Sequence, residues 1–182
     1  EVDGPLACIN EATEAVATAA RVEGCLEVLQ AQTKEEVLAL WTLRKALSPA
    51  LRKVAPKKIN EDVVVPVSRI PELIKGLQQL GNKHSIKIVN FGHAGNGNIH
   101  VNLLVNPDDS EEMQRADACL AEVFSLVLAL GGSLSGEHGI GMVKRDFVPL
   151  ELDSVSLGLM RQIKQQFDPN GILNPGKKFP LT

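Results

Sequence analysis

The sequence predicts an α+β domain, an antiparallel sheet of ferredoxin-like arrangement with helices packed on one face. Three observations lead there. Short β-branched segments alternate with amphipathic ones in the order strand–helix–strand, then helix–strand–strand–helix. Two of those segments, 86–91 and 99–105, are joined by the glycine-rich turn GHAGNGN. No internal repeat or low-complexity stretch interrupts the 182 residues, which suffice for one good-sized core.

Each element has its own signal. Residues 1–4, EVDG, read as the end of a strand with nothing initiating it, and so as the edge of something longer. Residues 9–22 are alanine-rich with Ile9, Val16 and Ala20 apolar, a helix ended by Gly24. CLEVLQ at 25–30 reads as a short strand. Thr33 and Glu36 form a capping box, and the helix they open carries Val37, Leu40, Trp41 and Leu47 on its apolar stripe. Ser48-Pro49 is expected to stop it. Residues 50–60 read as a basic loop without periodicity, and DVVVP at 62–66 as a brief strand closed by proline. Ser68 is expected to cap a helix through Leu73, Leu77 and Leu80, ending at Gly81-Asn82. After the two strands, Asp109 and Glu112 form a second capping box for a helix through Met113, Ala116, Leu120, Val123 and Val127. That helix stops at Gly131-Gly132. Asp153 starts a last helix through Val155, Leu159, Ile163 and Phe167, which DPNG at 168–171 breaks before an irregular tail.

Composition excludes several function classes. The 19 basic and 22 acidic residues are interspersed, so no nucleic-acid surface is expected. No run of about 18 apolar residues and no signal peptide is visible. Cys8, Cys25 and Cys119 are an odd set without CxxC spacing. They are expected to be buried small hydrophobes in a reducing compartment, which points to the cytoplasm.

Two glycine-rich loops hold nearly all the side chains that could do chemistry: GHAGNGNIHVN at 92–102 and GGSLSGEHGIG at 131–141. His100 and Asn102 are two apart on a strand and leave the same face. A tight turn could return His93 beside His100, and two adjacent imidazoles invite a divalent ion. The alternative is that each is an ordinary core or surface histidine. Glu137, in the second loop, would be costly to bury unpaired and should be charge-compensated. Two histidines and a glutamate leave an ion with open positions, as catalytic sites do. No HExxH helix is present, which argues against a metalloprotease. His138 is then the free histidine suited to general-base work, and His84 is expected to be exposed and idle. Neither loop fits GxxxxGK[ST] or a strand-to-helix GxGxxG, so no nucleotide site is read from spacing.

GHAGNGNIHVN, SGEHGIG and FDPNGILNPGKKF resemble, in order, three motifs of the C-terminal domain of FAD-linked oxidases. LWTLRKAL and EDVVVPVSRIPEL are further points of likeness, so the resemblance covers nearly the whole chain. That domain occurs in glycolate oxidase flavin subunits, D-lactate dehydrogenases and D-2-hydroxyglutarate dehydrogenases. The resemblance implies that residues 1–182 are one substrate- and metal-binding domain, with the FAD-binding domain upstream and absent from this chain. It implies zinc or manganese on His93, His100 and Glu137, with Asn102 and His138 facing the substrate. It further implies that Arg44 reaches the substrate carboxylate and that Asn174, in the NPGK tail, is near the flavin. The expected reaction is hydride transfer from a small D-2-hydroxy acid to FAD, with electrons leaving through an unnamed acceptor. That acceptor could tether the protein peripherally at a membrane. Two departures stand out: Asn96 replaces a common aspartate, and Asn60 occupies the place of a substrate-binding lysine in some relatives. The second disfavours a dicarboxylate such as 2-hydroxyglutarate. A non-catalytic metal-binding or interaction module and a metal-assisted hydrolase are the competing readings.

Overall fold

The computed structural model describes residues 2–180. The chain divides into two compact units, Glu1–Pro49 and Ala50–Thr182. The first holds two helices, α1 (Leu6–Ala20) and α2 (Lys34–Ala50). Pro5 precedes α1 with φ −59°, so the helix starts earlier than periodicity suggested. The capping box of α2 forms as expected. Thr33 Oγ1 accepts from the Glu36 N–H at 3.2 Å, and the Glu36 carboxylate accepts from the N–H groups of Gln32 and Thr33 at 2.7 and 3.0 Å. Those backbone donors hold the Glu36 carboxyl below the usual carboxylate range.

Four expectations in this unit are corrected. Residues 25–30 form no strand, because the unit contains only helices and offers no edge to pair with. Residues 2–4 are not a strand either, and Glu1 lies outside the described residues. Pro49 does not stop α2: it sits inside the last turn, where a single missing N–H is tolerated. Cys8 and Cys25 are exposed; only Cys119, in the other unit, is buried.

The second unit runs β1 (Lys57–Val64), α3 (Ile70–His84), β2 (Lys87–His93), β3 (Asn98–Val105) and α4 (Ser110–Ala129). Short α5 (Val148–Glu151) and α6 (Ser154–Phe167) follow. The three strands form one antiparallel sheet in the order β1-β3-β2. This βαββα path is the ferredoxin-like arrangement through its second helix. At the outer edge of β1, where a fourth strand would lie, the chain leaving α4 makes one antiparallel bridge, Val64 to Ser133. No helix among the described residues is long and apolar enough to cross a membrane.

β1 begins five residues earlier than read from DVVVP, since residues 57–61 pair in register with residues 105–101. Ser68 lies in a 3₁₀ turn and caps nothing; Pro71 in the first turn sets the start of α3. α3 runs past Gly81-Asn82 and closes on Ser85, which is left-handed at φ 55°. Asp109 caps α4 as expected, but Glu112 reaches back to the Asn106 N–H instead of completing the box. Asp153 caps α6 through the Ser156 N–H at 2.8 Å.

The sheet has two unlike faces, because side chains alternate along each strand. Val63, Ile99, Val101, Leu103 and Val105 meet Leu73 and Leu77 of α3 and Ala116, Leu120, Val123 and Val127 of α4 in one core. The opposite face of β3 carries Asn98, His100 and Asn102, all buried. Buried polar side chains on the face of a central strand turned away from α3 and α4 are the departure from packing logic that points to a site.

Candidate metal centre and the loop that carries it

Strand register sets the neighbours. Asp62 of β1 and Phe91 of β2 flank His100; Asn60 and Val89 flank Asn102; Val64 and His93 flank Asn98. His93 therefore ends one step from His100 on the same face, and the two rings meet edge-on with centroids 5.6 Å apart. The connecting turn is closed by the His93 carbonyl, which accepts from the N–H groups of Asn96 and Gly97, each at 3.1 Å. Asn96 Oδ1 accepts from the Asn98 N–H at 3.1 Å, a contact an aspartate would make equally well. Gly97 has φ +79°, and a Cβ there would lie 1.9 Å from the Val65 carbonyl oxygen.

The second glycine-rich loop crosses this face. Gly136 packs so closely that a Cβ would lie 2.7 Å from Asn98 Oδ1, and this approach delivers Glu137 to the histidines. One carboxylate oxygen of Glu137 is 3.5 Å from His93 Nε2 and the other 3.9 Å from His100 Nε2. Three ligand atoms, one from each residue, lie within 4.8 Å of one another. Donors about 2 Å from a shared ion lie roughly 3–4 Å apart, so these residues fit a single divalent cation of the zinc or manganese kind. Glu137 is half-exposed, not buried as its loop suggested. Burial lowers the His100 pKa; the Glu137 charge opposes this and the neighbouring histidines add to it. The neutral imidazole that results is the ligating form.

The loop is held by a residue that sequence reasoning passed over. Asp62 is fully buried. Its Oδ2 accepts from the N–H groups of Gly136 at 2.7 Å, Glu137, and His138 at 3.1 Å. Its Oδ1 accepts from Lys144 Nζ at 2.6 Å and from the Ser135 hydroxyl at 3.2 Å. Lys144, also buried, donates to the Asp62 carbonyl at 2.7 Å and lies 3.5 Å from Glu61. Burial pushes the Asp62 carboxyl up, but the Glu137 N–H, Lys144 and the His138 N–H outweigh it, and the net direction is strongly downward. Glu61 goes the other way, raised by burial against the pull of Lys144. The signal was available: a carboxylate in an apolar strand segment needs a partner, the argument applied only to Glu137.

His138 stacks on His100, with centroids 5.5 Å apart and planes at 21°. Its Nδ1 lies 3.4 Å from Asp62 Oδ1. Asn102 has its amide engaged: Asn60 Nδ2 donates to its Oδ1 at 2.7 Å, and its Nδ2 donates to the carbonyls of Val89 and His100. Arg44 lies on α2, in the other compact unit. Asn174 adopts φ 49° in the tail, which contacts the second loop's end through the Lys178 N–H and Gly141 carbonyl. His84 is not idle: half-buried on α3, it binds Glu122 of α4 at 3.1 Å beside Lys83.

Residues 1–178 match the family described as FAD linked oxidases, C-terminal domain. The chain belongs to that family. It is 36% identical over 179 residues to the glycolate oxidase subunit GlcD of Bacillus subtilis, covering 98% of this chain and 38% of that protein. It is 35% identical over 159 residues to a D-2-hydroxyglutarate dehydrogenase of Stutzerimonas stutzeri, covering 85% and 34%. It is 35% identical over 170 residues to a D-lactate dehydrogenase of Anaerostipes hadrus, covering 93% and 35%. The chain thus spans little more than a third of the length of these relatives.

Two outcomes follow from this geometry. Lys144→Met leaves the Asp62 carboxylate buried without its cation and should cost roughly 3–5 kcal/mol in urea unfolding. Adding Asp62→Asn should recover part of that loss. Separately, the protein purified without chelators should carry about one divalent ion, read by elemental analysis. Glu137→Gln should weaken its retention. Acidification should release the ion as protons compete for the imidazoles. Elemental analysis finding no ion even after zinc or manganese is added would sink the site.

Proposed function

We propose that the chain is the substrate- and metal-binding part of an FAD-dependent dehydrogenase. The whole enzyme would oxidise a small D-2-hydroxy acid, glycolate or D-lactate, to its 2-oxo acid. The convergence of His93, His100 and Glu137 into one donor set beside His138 carries this reading. When bound, the flavin supplies the hydride acceptor and a divalent ion on those three residues supplies Lewis acidity at the substrate hydroxyl. His138 takes the hydroxyl proton as the C2 hydride leaves. Arg44 binds the substrate carboxylate, for which a guanidinium fork is suited. Asn102 forms the floor beside the donor set, and Asn174 contacts the flavin.

Substrate size is limited by the same floor. The row next to His100 holds the amides of Asn60 and Asn102, hydrogen-bonded to each other. Neutral amides at that place favour a monocarboxylate over a substrate whose second carboxylate would need a cation. FAD is held mainly by an upstream domain of the same protein, its principal partner. Electrons pass on to a separate acceptor in the cytoplasm or at a membrane surface.

In the full-length enzyme, His138→Ala should leave the metal in place and lower kcat by roughly 10²–10⁴-fold, the usual worth of a positioned base. A variant that loses its metal as completely as Glu137→Gln would make His138 a ligand instead. The 182-residue chain alone should bind no FAD tightly and oxidise nothing. Flavin retained through gel filtration, or dye reduction by glycolate or D-lactate with this chain alone, would contradict that.

A further inference from the structure

The donors around Asp62 reach both of its oxygens, with the Ser135 hydroxyl shared between them at 3.2 and 3.3 Å. Oδ2 faces the backbone N–H groups of Gly136, Glu137 and His138. Oδ1 faces Lys144 Nζ, the Ser135 hydroxyl and, at 3.4 Å, the His138 ring nitrogen Nδ1. A carboxylate that meets donors on both oxygens and a buried lysine at 2.6 Å is ionised and has no proton to give. Nδ1 can therefore meet Oδ1 favourably only by carrying the proton itself; its lone pair there would be repelled. The ring is half-exposed, and two contacts keep it on this side. Its backbone N–H is held by the same carboxylate, and its plane is stacked on His100 at 21°.

We infer that Asp62 is a positioning residue that holds His138 as the Nδ1–H tautomer and keeps Nε2 as the lone-pair nitrogen. One acidic side chain thereby sets both where His138 sits and which of its nitrogens can accept a proton. The consequence for turnover rests on the reading of His138 as the base; the tautomer does not. Asp62 touches no substrate atom in this role. It acts through the imidazole, as an orienting carboxylate does in other acid–base sites.

The tautomer is measurable in the unmodified protein. Full-length enzyme with its flavin and zinc is labelled with ¹⁵N-histidine. Long-range ¹H–¹⁵N spectra are recorded above about pH 8, where an ordinary imidazole is neutral. The His138 signals are assigned by their disappearance in His138→Gln. Nδ1 should be protonated and Nε2 bare. A proton on Nε2, in the neutral ring or the cation, overturns the inference whatever the activity.

A variant makes the same point from the other side. In Asp62→Asn the amide oxygen is needed where three backbone N–H groups converge, so the NH₂ falls at the Oδ1 place and faces His138 Nδ1. Lys144→Met accompanies it to remove the cation that would lose its partner. The double variant should move the proton to Nε2, retain zinc, and lose kcat by roughly 10²–10⁴-fold with KM little changed. A folded double variant that keeps Nδ1–H overturns the inference. A switched tautomer with unaltered turnover upholds the role of Asp62 and removes the base assignment instead. If the double variant does not fold, the wild-type spectrum decides alone.

Discussion

The buried carboxylate of Asp62 is the constraint on which the site depends. A loop with glycines at 136, 139 and 141 has a large conformational freedom to lose, and hydrophobic contact alone cannot choose one path for it. Asp62 makes the choice by collecting three consecutive N–H groups on one oxygen. Hydrogen bonds to a charged group are worth about 1.5–3 kcal/mol each, against about 1 kcal/mol for neutral ones, and they are directional. Once residues 136–138 are fixed in this way, Glu137 faces the histidine pair and His138 turns its Nδ1 back to the carboxylate. The placing of Glu137 in the donor set and of the candidate base thus both follow from one buried charge.

That charge is tolerated because β1 runs between the two worlds of the sheet. Val63 points into the helix-packed core, while Asp62 points to the polar face. Lys144, reaching the strand from beyond the second loop, neutralises Asp62 and touches Glu61 as well. The lysine lies closer to Asp62, at 2.6 Å, than to Glu61, at 3.5 Å, so Asp62 is its first partner. The second loop is therefore tied to β1 by charge as well as by the Val64–Ser133 bridge.

What the sequence made legible was local. Thr33 with Glu36, Asp109 and Asp153 are caps whose partners lie within three residues, and all three form. The β-branched, apolar run from Ile99 to Val105 marked the strand, and the two-residue spacing of His100 and Asn102 marked its functional face. What it hid depended on distant partners. KKINEDVV does not alternate, because Glu61 and Asp62 are both buried against Lys144, about eighty positions away in sequence; the strand therefore looked like a loop until Asp62. CLEVLQ has strand-like residues but no edge to join. Glu137 was identified for its chemistry, yet the residue that delivers it was not, since its donors are backbone groups that any sequence would offer.

The two histidines nearest the centre of the site are fixed by different means, and the difference has consequences. His138 answers to a carboxylate. Among the described residues, His100 Nδ1 has no hydrogen-bond partner, although histidines that bind metals usually donate that nitrogen to a second group. Its ring is held instead by three others: His93 edge-on, Phe91 tilted at 5.9 Å and His138 stacked. A ring wedged by packing keeps its orientation but receives no electrostatic assistance from a partner carboxylate, so its basicity is left to burial and the surrounding charges. A ring paired with a carboxylate has both its orientation and its proton position prescribed. The protein has placed the lysine-balanced carboxylate of Asp62 beside the imidazole that would gain and lose a proton, and has left shape to secure the one that would stay bound.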